Sequence, residues 1–158
     1  MISVVAVVVV LAVVVLLVRP GSDSDGGIDA VEPTVPHTVG EFELNEQDSS
    51  NYYADVSPFP DLAWGGVFYY VTSEQSVFVH LWGPTDDIGD YTQYQGEATA
   101  VGSGQCMTDP GDGTRICAVN RGGVVLTAAL MDEATGEWLT DDARLMEITE
   151  EFAAAMLG

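Results

Sequence analysis

The two cysteines of the chain, Cys106 and Cys117, stand at either end of the segment CMTDPGDGTRIC. Three kinds of chemistry suit such a pair: a disulfide, a metal site, or a nucleophilic thiol activated by a histidine. Zinc prefers four ligands at short spacing, and the two histidines of the chain, His37 and His80, lie far upstream. His80 lies within an apolar run, where a structural role is commoner than activation of a thiol.

A disulfide suits the spacing best. The residues Asp109-Pro110-Gly111-Asp112-Gly113 form a strong turn signal between the cysteines. They predict an antiparallel hairpin in which Cys106 and Cys117 face each other, close enough to be bridged. Because disulfides persist in oxidising compartments, we predict that this domain lies outside the cytoplasm.

Catalytic signatures are missing from the rest of the sequence. It contains no G-x-S-x-G, P-loop, G-x-G-x-x-G or H-E-x-x-H motif. Asp86, Asp87 and Asp90, or Asp109 with Asp112, are close enough in sequence to bind Ca²⁺ weakly, but such clusters arise by chance in a chain this acidic. We therefore predict no catalytic residue, no metal ligand and no cofactor. The enzymatic alternative is an envelope hydrolase that uses dispersed carboxylates.

The charge of the chain restricts its partners. Its 158 residues include 25 acidic residues, four arginines and no lysine, a net charge of −21. Nucleic acids and anionic lipid surfaces are bound by clusters of basic residues, so this composition argues against both. An envelope protein or a cationic ligand is the partner that the charge favours.

The N-terminal residues read as a membrane anchor. Residues 2–18, ISVVAVVVVLAVVVLLV, carry no charge and would form a helix of roughly 26 Å, at the short edge of what spans a bilayer. A cleaved signal peptide is the alternative, but no basic residue precedes Arg19 and LLVRPGS offers no good cleavage site. We predict that residues 1–19 form a single-pass transmembrane helix in contact with the lipid bilayer.

The residues that follow this anchor and the paired cysteines bear on the predicted topology. Arg19 by itself would place the following domain in the cytoplasm, but one arginine is weak evidence and the paired cysteines favour the outside. Residues 20–40 are dominated by Pro, Gly, Ser, Thr and Asp without periodicity, which predicts a flexible linker. The prediction is a cell-membrane protein whose C-terminal domain is extracytoplasmic.

Residues 41–158 are predicted to form an α+β domain, an antiparallel sheet of hairpins packed by a C-terminal helix. The segment WGGVFYYVTSEQSVFVHLWG, residues 64–83, predicts a hairpin whose second strand is central because both of its faces are apolar. Three further strands are predicted at 97–102 (extending toward 106–108), 115–120 and 124–131, with turns at Asp109–Gly113 and Arg121-Gly122-Gly123. This pattern of elements is typical of an α+β fold.

The last segment, TDDARLMEITEEFAAAML, predicts a helix. Thr140 is the expected N-cap, followed by acidic residues that suit the positive end of the helix dipole. Apolar residues recur on one face at helical spacing, namely Leu145, Ile148, Phe152 and Met156. Most aromatic side chains of the domain are expected in the core, and an exposed aromatic binding face is the alternative.

Three segments together carry a resemblance: FYYVTSEQSVFVHLWG, GQCMTDPGDGTRICAVNRGGVVLTAAL and LTDDARLMEITEEFAAAML. Over about the last 90 residues, the chain resembles uncharacterised actinobacterial single-pass membrane proteins with a small extracytoplasmic paired-cysteine domain. It departs from them at Ala118-Val119-Asn120, where that group often has a Trp-Ala-Asp-like run. The resemblance implies the same topology and disulfide but no activity. The expected function is binding or accessory interaction at the cell envelope, without catalysis.

Overall fold

A computed structural model of the chain describes residues 30–53, 64–85, 87–89 and 97–158. These residues contain nine β-strands in one antiparallel sheet and a long C-terminal helix, α1, so the predicted α+β class is confirmed. The elements in chain order are β1 Thr38–Val39, β2 Phe42–Leu44, β3 Ser50–Tyr53, β4 Trp64–Val71, β5 Gln75–Gly83, β6 Thr99–Val101, β7 Gly104–Thr108, β8 Arg115–Arg121, β9 Val124–Asp132 and α1 Asp142–Leu157.

The strand order is β1-β2-β4-β5-β9-β8-β7-β6, and β3 pairs with the first half of β4, from Trp64 to Val67. The predicted β4–β5 hairpin is present and turns through residues 72–74, where the Thr72 hydroxyl accepts bonds from the backbone N–H groups of Glu74 and Gln75. Strand β5 lies between β4 and β9, and it is therefore central, as its two apolar faces predict.

The C-terminal half of the sheet is a meander, because short turns join β6 to β7, β7 to β8 and β8 to β9. Gly122 and Gly123 both have positive φ, 53° and 77°, which a two-residue hairpin turn of this kind requires. Gly104 meets a different demand: a Cβ there would collide with the carbonyl oxygen of Ala118 on the neighbouring strand. Glycine thus allows β7 and β8 to approach closely at this point.

Helix α1 packs across one face of the sheet and closes the main core. All four apolar residues predicted to share its inner face, Leu145, Ile148, Phe152 and Met156, are buried. The helix begins one residue later than expected. Its N-cap is Asp141 and not Thr140, and the Asp141 carboxylate accepts bonds from the backbone N–H groups of Ala143 and Arg144. Both threonine and aspartate can cap the free N–H groups, but only the charged carboxylate also complements the helix dipole.

Residues 30–39, placed in the linker by their composition, lie against the domain. The backbone N–H of Val31 donates to Gly122 and that of Thr34 to Met156, while Val39 is buried in the core. Chain contacts with the domain therefore begin about ten residues before Glu41. Among the described residues, no helix is long and apolar enough to cross a membrane, and the anchor predicted at 1–19 lies outside them.

Candidate functional site

Cys106 and Cys117 are direct partners in the β7–β8 register, and their sulfur atoms lie at disulfide distance. The predicted pairing is confirmed. Both cysteines are completely buried beneath the first turn of α1, with the carbonyl oxygen of Asp142 3.9 Å from each sulfur. The disulfide thus joins two neighbouring strands and also forms part of the surface on which the helix begins.

The two rival roles of the cysteines do not fit this arrangement. Cys106 and Cys117 point toward α1, whereas His80 belongs to the opposite face of the sheet. The sheet therefore separates the imidazole from both sulfurs, and His80 cannot activate either of them. Both sulfurs and a carboxylate oxygen of Asp142 lie within 4.8 Å of one another, a spacing that suits a metal. Because the sulfurs are bonded to each other, they offer no thiolate ligand.

An ion pair fixes the helix beside the disulfide. Arg115, at the start of β8, donates from Nε and Nη2 to the two carboxylate oxygens of Asp142, each at 2.6 Å. This bidentate bond lowers the pKa of the Asp142 carboxyl and raises that of the Arg115 guanidinium. The pair stabilises the docking of α1 and leaves neither group free for catalysis.

The other face of the sheet carries the aromatic residues that α1 does not cover. Trp82 is buried there in a small second core with Met107, Ala118 and Val125. A Cβ on Gly65, opposite Trp82, would lie 3.0 Å from the indole ring, so glycine makes room for it. Burial lowers the pKa of His80, which lies next to Trp82 on this face.

Three half-buried aromatic side chains, Tyr69, Phe78 and Trp138, form a row at one end of this outer face, and we call them the aromatic patch. Tyr69 and Phe78 are register partners on β4 and β5, with ring centroids 4.6 Å apart. Phe78 also contacts the indole of Trp138 edge-on at 5.2 Å. Trp138, which follows β9 in the chain, pairs with Met131 on that strand. Its ring contacts Phe78, whose register partner on β9 is the small residue Ala129.

Glu133 is joined to the aromatic patch by hydrogen bonding. The hydroxyl of Tyr69 donates to Glu133 Oε1 at 2.9 Å. The hydroxyl groups of Ser76 and Tyr69 lower the pKa of the Glu133 carboxyl, and Ser76 has the larger effect. The buried Ser76 Oγ lies near the carboxylate but outside hydrogen-bond geometry. These hydroxyl groups favour the ionised form of the Glu133 carboxylate, which lies beside the hydroxyl of Tyr69.

Further carboxylates surround this end of the sheet. We call Glu74, Asp132, Glu133 and Glu137 the acidic rim; all four residues are exposed. The backbone N–H of Glu133 donates to the carbonyl of Glu74, which joins the turn after β9 to the β4–β5 turn. The backbone N–H of Asp132 donates to the carbonyl of Glu137 and closes the turn after β9 itself. The acidic rim thus places negative charge next to the aromatic patch, with which Glu133 is in contact through Tyr69.

The arginines in the described residues lie elsewhere. Arg115, Arg121 and Arg144 each pair with a carboxylate of α1, namely Asp142, Glu150 and Glu147 respectively. No arginine of the described ranges thus pairs with the acidic rim. None of these three arginines therefore compensates the negative charge of the acidic rim.

The described carboxyl groups with shifted pKa values do not resemble a catalytic pair. Those of Asp112, Asp132, Glu133 and Asp142 all have lowered pKa values, chiefly through hydrogen bonds. A general acid at neutral pH needs a raised pKa. These directions give no support to the hydrolase alternative.

Sequence reasoning identified the cysteine pair but not the aromatic patch, whose members are distant in the chain. Tyr69 and Phe78 face each other by hairpin register, a signal that the sequence does contain. Nothing local indicates that Trp138 and Glu133 join them. Tyr70 and Trp82 are buried as expected of most aromatic residues.

Searches of protein-family models, curated proteins and solved structures find no match to this chain. The resemblance to actinobacterial membrane proteins stays a prediction.

Proposed function

We propose that this chain is a membrane-anchored extracytoplasmic domain that binds a partner at the cell envelope and catalyses no reaction. The observation that carries the proposal is the buried Cys106–Cys117 disulfide. A bond of this kind in the core of a small domain supports folding in an oxidising compartment. The apolar residues 2–18 supply the predicted anchor.

The surface of the domain favours binding over catalysis. The outer face of the sheet carries the half-buried aromatic patch and the acidic rim, a combination that suits recognition because aromatic residues contribute much contact energy at interfaces. The net charge of −21 directs this surface away from anionic partners and toward cationic or neutral ones.

The location is tested by introducing one exposed thiol. Glu147 is exposed on α1, so the variant Glu147→Cys presents a thiol that a membrane-impermeant maleimide-PEG reagent can reach. We expect the same labelling in intact cells as after lysis. The unsubstituted chain is the control, and we expect it to be labelled only after denaturation with a reductant, since its cysteines are buried and bonded. Labelling of Glu147→Cys after lysis alone would place the domain in the cytoplasm and overturn the proposal.

A further inference from the structure

We infer that the aromatic patch and Glu133 form a binding site for an arginine or lysine side chain of a basic segment in a protein partner. The inference rests on the proposed binding function and specifies its site. It is drawn from the ring geometry, the position of the Glu133 carboxylate and the distribution of cations in the described residues.

The rings supply the first half of the recognition. Tyr69, Phe78 and Trp138 are each half-buried, and they contact one another at centroid distances of 4.6 and 5.2 Å. A cation close to the face of such a ring is attracted by its quadrupole, most strongly at tryptophan. Rings held by mutual contact lose little further freedom when a ligand binds.

Glu133 supplies the second half. Its carboxylate accepts a hydrogen bond from the hydroxyl of Tyr69, which holds it at the Tyr69 end of the aromatic patch. A carboxylate oxygen that already accepts one bond retains lone pairs for a guanidinium or ammonium group. A bound cation can therefore contact an aromatic face and a carboxylate at the same time.

Charge decides which occupant suits this face. A second copy of the chain would bring a further −21 and would be repelled. None of the three arginines in the described residues occupies the aromatic patch, because Arg115, Arg121 and Arg144 bind carboxylates of α1. A basic partner segment is complementary in charge, and it would also bury the exposed parts of the three rings.

The test compares two blocked peptides, Ac-Gly-Arg-Gly-Arg-Gly-NH2 and the same peptide with citrulline in place of arginine. Citrulline keeps the shape of arginine but has no charge. Binding to the full chain in a non-ionic detergent, at about 150 mM salt so that distant charges are screened, is followed by ¹H–¹⁵N TROSY spectra. We expect the arginine peptide to shift the Trp138 indole and the backbone signals of Tyr69 and Phe78. The citrulline peptide should bind at least about fivefold more weakly.

Two variants with the same change in charge separate a site from general attraction. Glu133→Gln should weaken binding of the arginine peptide by about two- to fivefold, whereas Glu147→Gln, on exposed α1, should leave it unchanged. Trp138→Leu should weaken binding of the arginine peptide by a similar factor. The indole signal that is missing from the spectrum of this variant identifies the Trp138 resonance. Both glutamates are exposed, so these two variants are expected to fold.

Three results would overturn the inference: equal weakening by Glu133→Gln and Glu147→Gln, shifts confined to other parts of the domain, or no shift at about 10 mM peptide. The last concentration is well above the millimolar dissociation constant that we expect of such a contact. None of them bears on the location of the domain, which the Glu147→Cys labelling decides independently. Failure of that labelling would in turn leave the peptide result unaffected, so the two proposals fail separately.

Discussion

Reduction of the Cys106–Cys117 disulfide is expected to lower the free energy of unfolding by about 3 kcal/mol. The two cysteines are 11 positions apart, and the bond closes a loop of 12 residues, both ends counted. Closing a loop of this size removes conformational entropy from the unfolded chain, and the chain-entropy relation gives about 3 kcal/mol at 25 °C. Small domains are stable by only about 5–15 kcal/mol in total, so the loss is large.

Burial of the bond adds a kinetic expectation. Both cysteines are 0% exposed, and the first turn of α1 covers them. A reductant must attack a sulfur atom directly, so it reaches the bond only in molecules that have opened. Reduction of the folded protein should therefore be slow, and it should accelerate when urea raises the population of open molecules.

The assay is equilibrium unfolding in urea, followed by far-UV circular dichroism, on the full chain in a non-ionic detergent with and without reductant. Urea is preferred to guanidinium chloride, because the salt would screen the repulsion among the charges of a −21 chain. With an m-value of about 1–3 kcal/mol/M, the midpoint should fall by about 1–3 M on reduction.

The double variant Cys106→Ala, Cys117→Ala is the control, and its midpoint should not respond to the reductant. Alanine is chosen over serine because a hydroxyl in this buried position would add a desolvation cost of its own. If the oxidised and reduced wild-type proteins differ by less than about 1 kcal/mol, the loop-closure reasoning is refuted.

Three further predictions concern single side chains. Asp142→Asn should lower stability by about 1–2 kcal/mol. Because the folded-state pKa of Asp142 is lowered, this effect should begin to decline near the unfolded pKa of about 3.9 and be lost as the pH falls through the lower folded pKa. Glu147→Gln, in an exposed pair, should change stability by less than about 0.5 kcal/mol, and equal effects of the two variants in urea unfolding would contradict this. Burial lowers the pKa of His80, so only the unfolded chain binds its proton just below about pH 6.5, and stability should fall as the pH drops from there. Thermal unfolding between pH 7.5 and 5 should show a smaller fall for His80→Gln than for the exposed-site control His37→Gln, and identical slopes would argue against it. Gly104→Ala should lower the free energy of unfolding by about 1–3 kcal/mol, because the added methyl group would push β7 away from β8. An unchanged melting temperature would show that the two strands accommodate the methyl group without loss of stability.

The elements that the sequence predicts well are those specified by neighbouring residues. The β4–β5 hairpin, the turns at Asp109–Gly113 and Gly122–Gly123, and the buried face of α1 all follow from short-range patterns. The N-cap is Asp141, one residue after the predicted Thr140: both residue types can cap a helix, and the carboxylate of Asp141 also complements the helix dipole. The binding role and the membrane location remain proposals with the tests given above.

The amino-acid sequence by itself determined the charge, and it also predicted the paired cysteines, the period of α1 and the β4–β5, β7–β8 and β8–β9 hairpins, which depend on residues within about a dozen positions. It did not predict the β1–β2 pair, and the single strand predicted at 97–102 extending toward 106–108 is instead the β6–β7 hairpin. Tertiary structure decided what touches across long separations. It placed Trp138 and Glu133 beside Tyr69 and Phe78, and it set residues 30–39 against the turn at Gly122 and the end of α1. These contacts depend on strand order and on the path of the chain beyond β9. Local propensity contains no information on either, and packing of the whole sheet selects them.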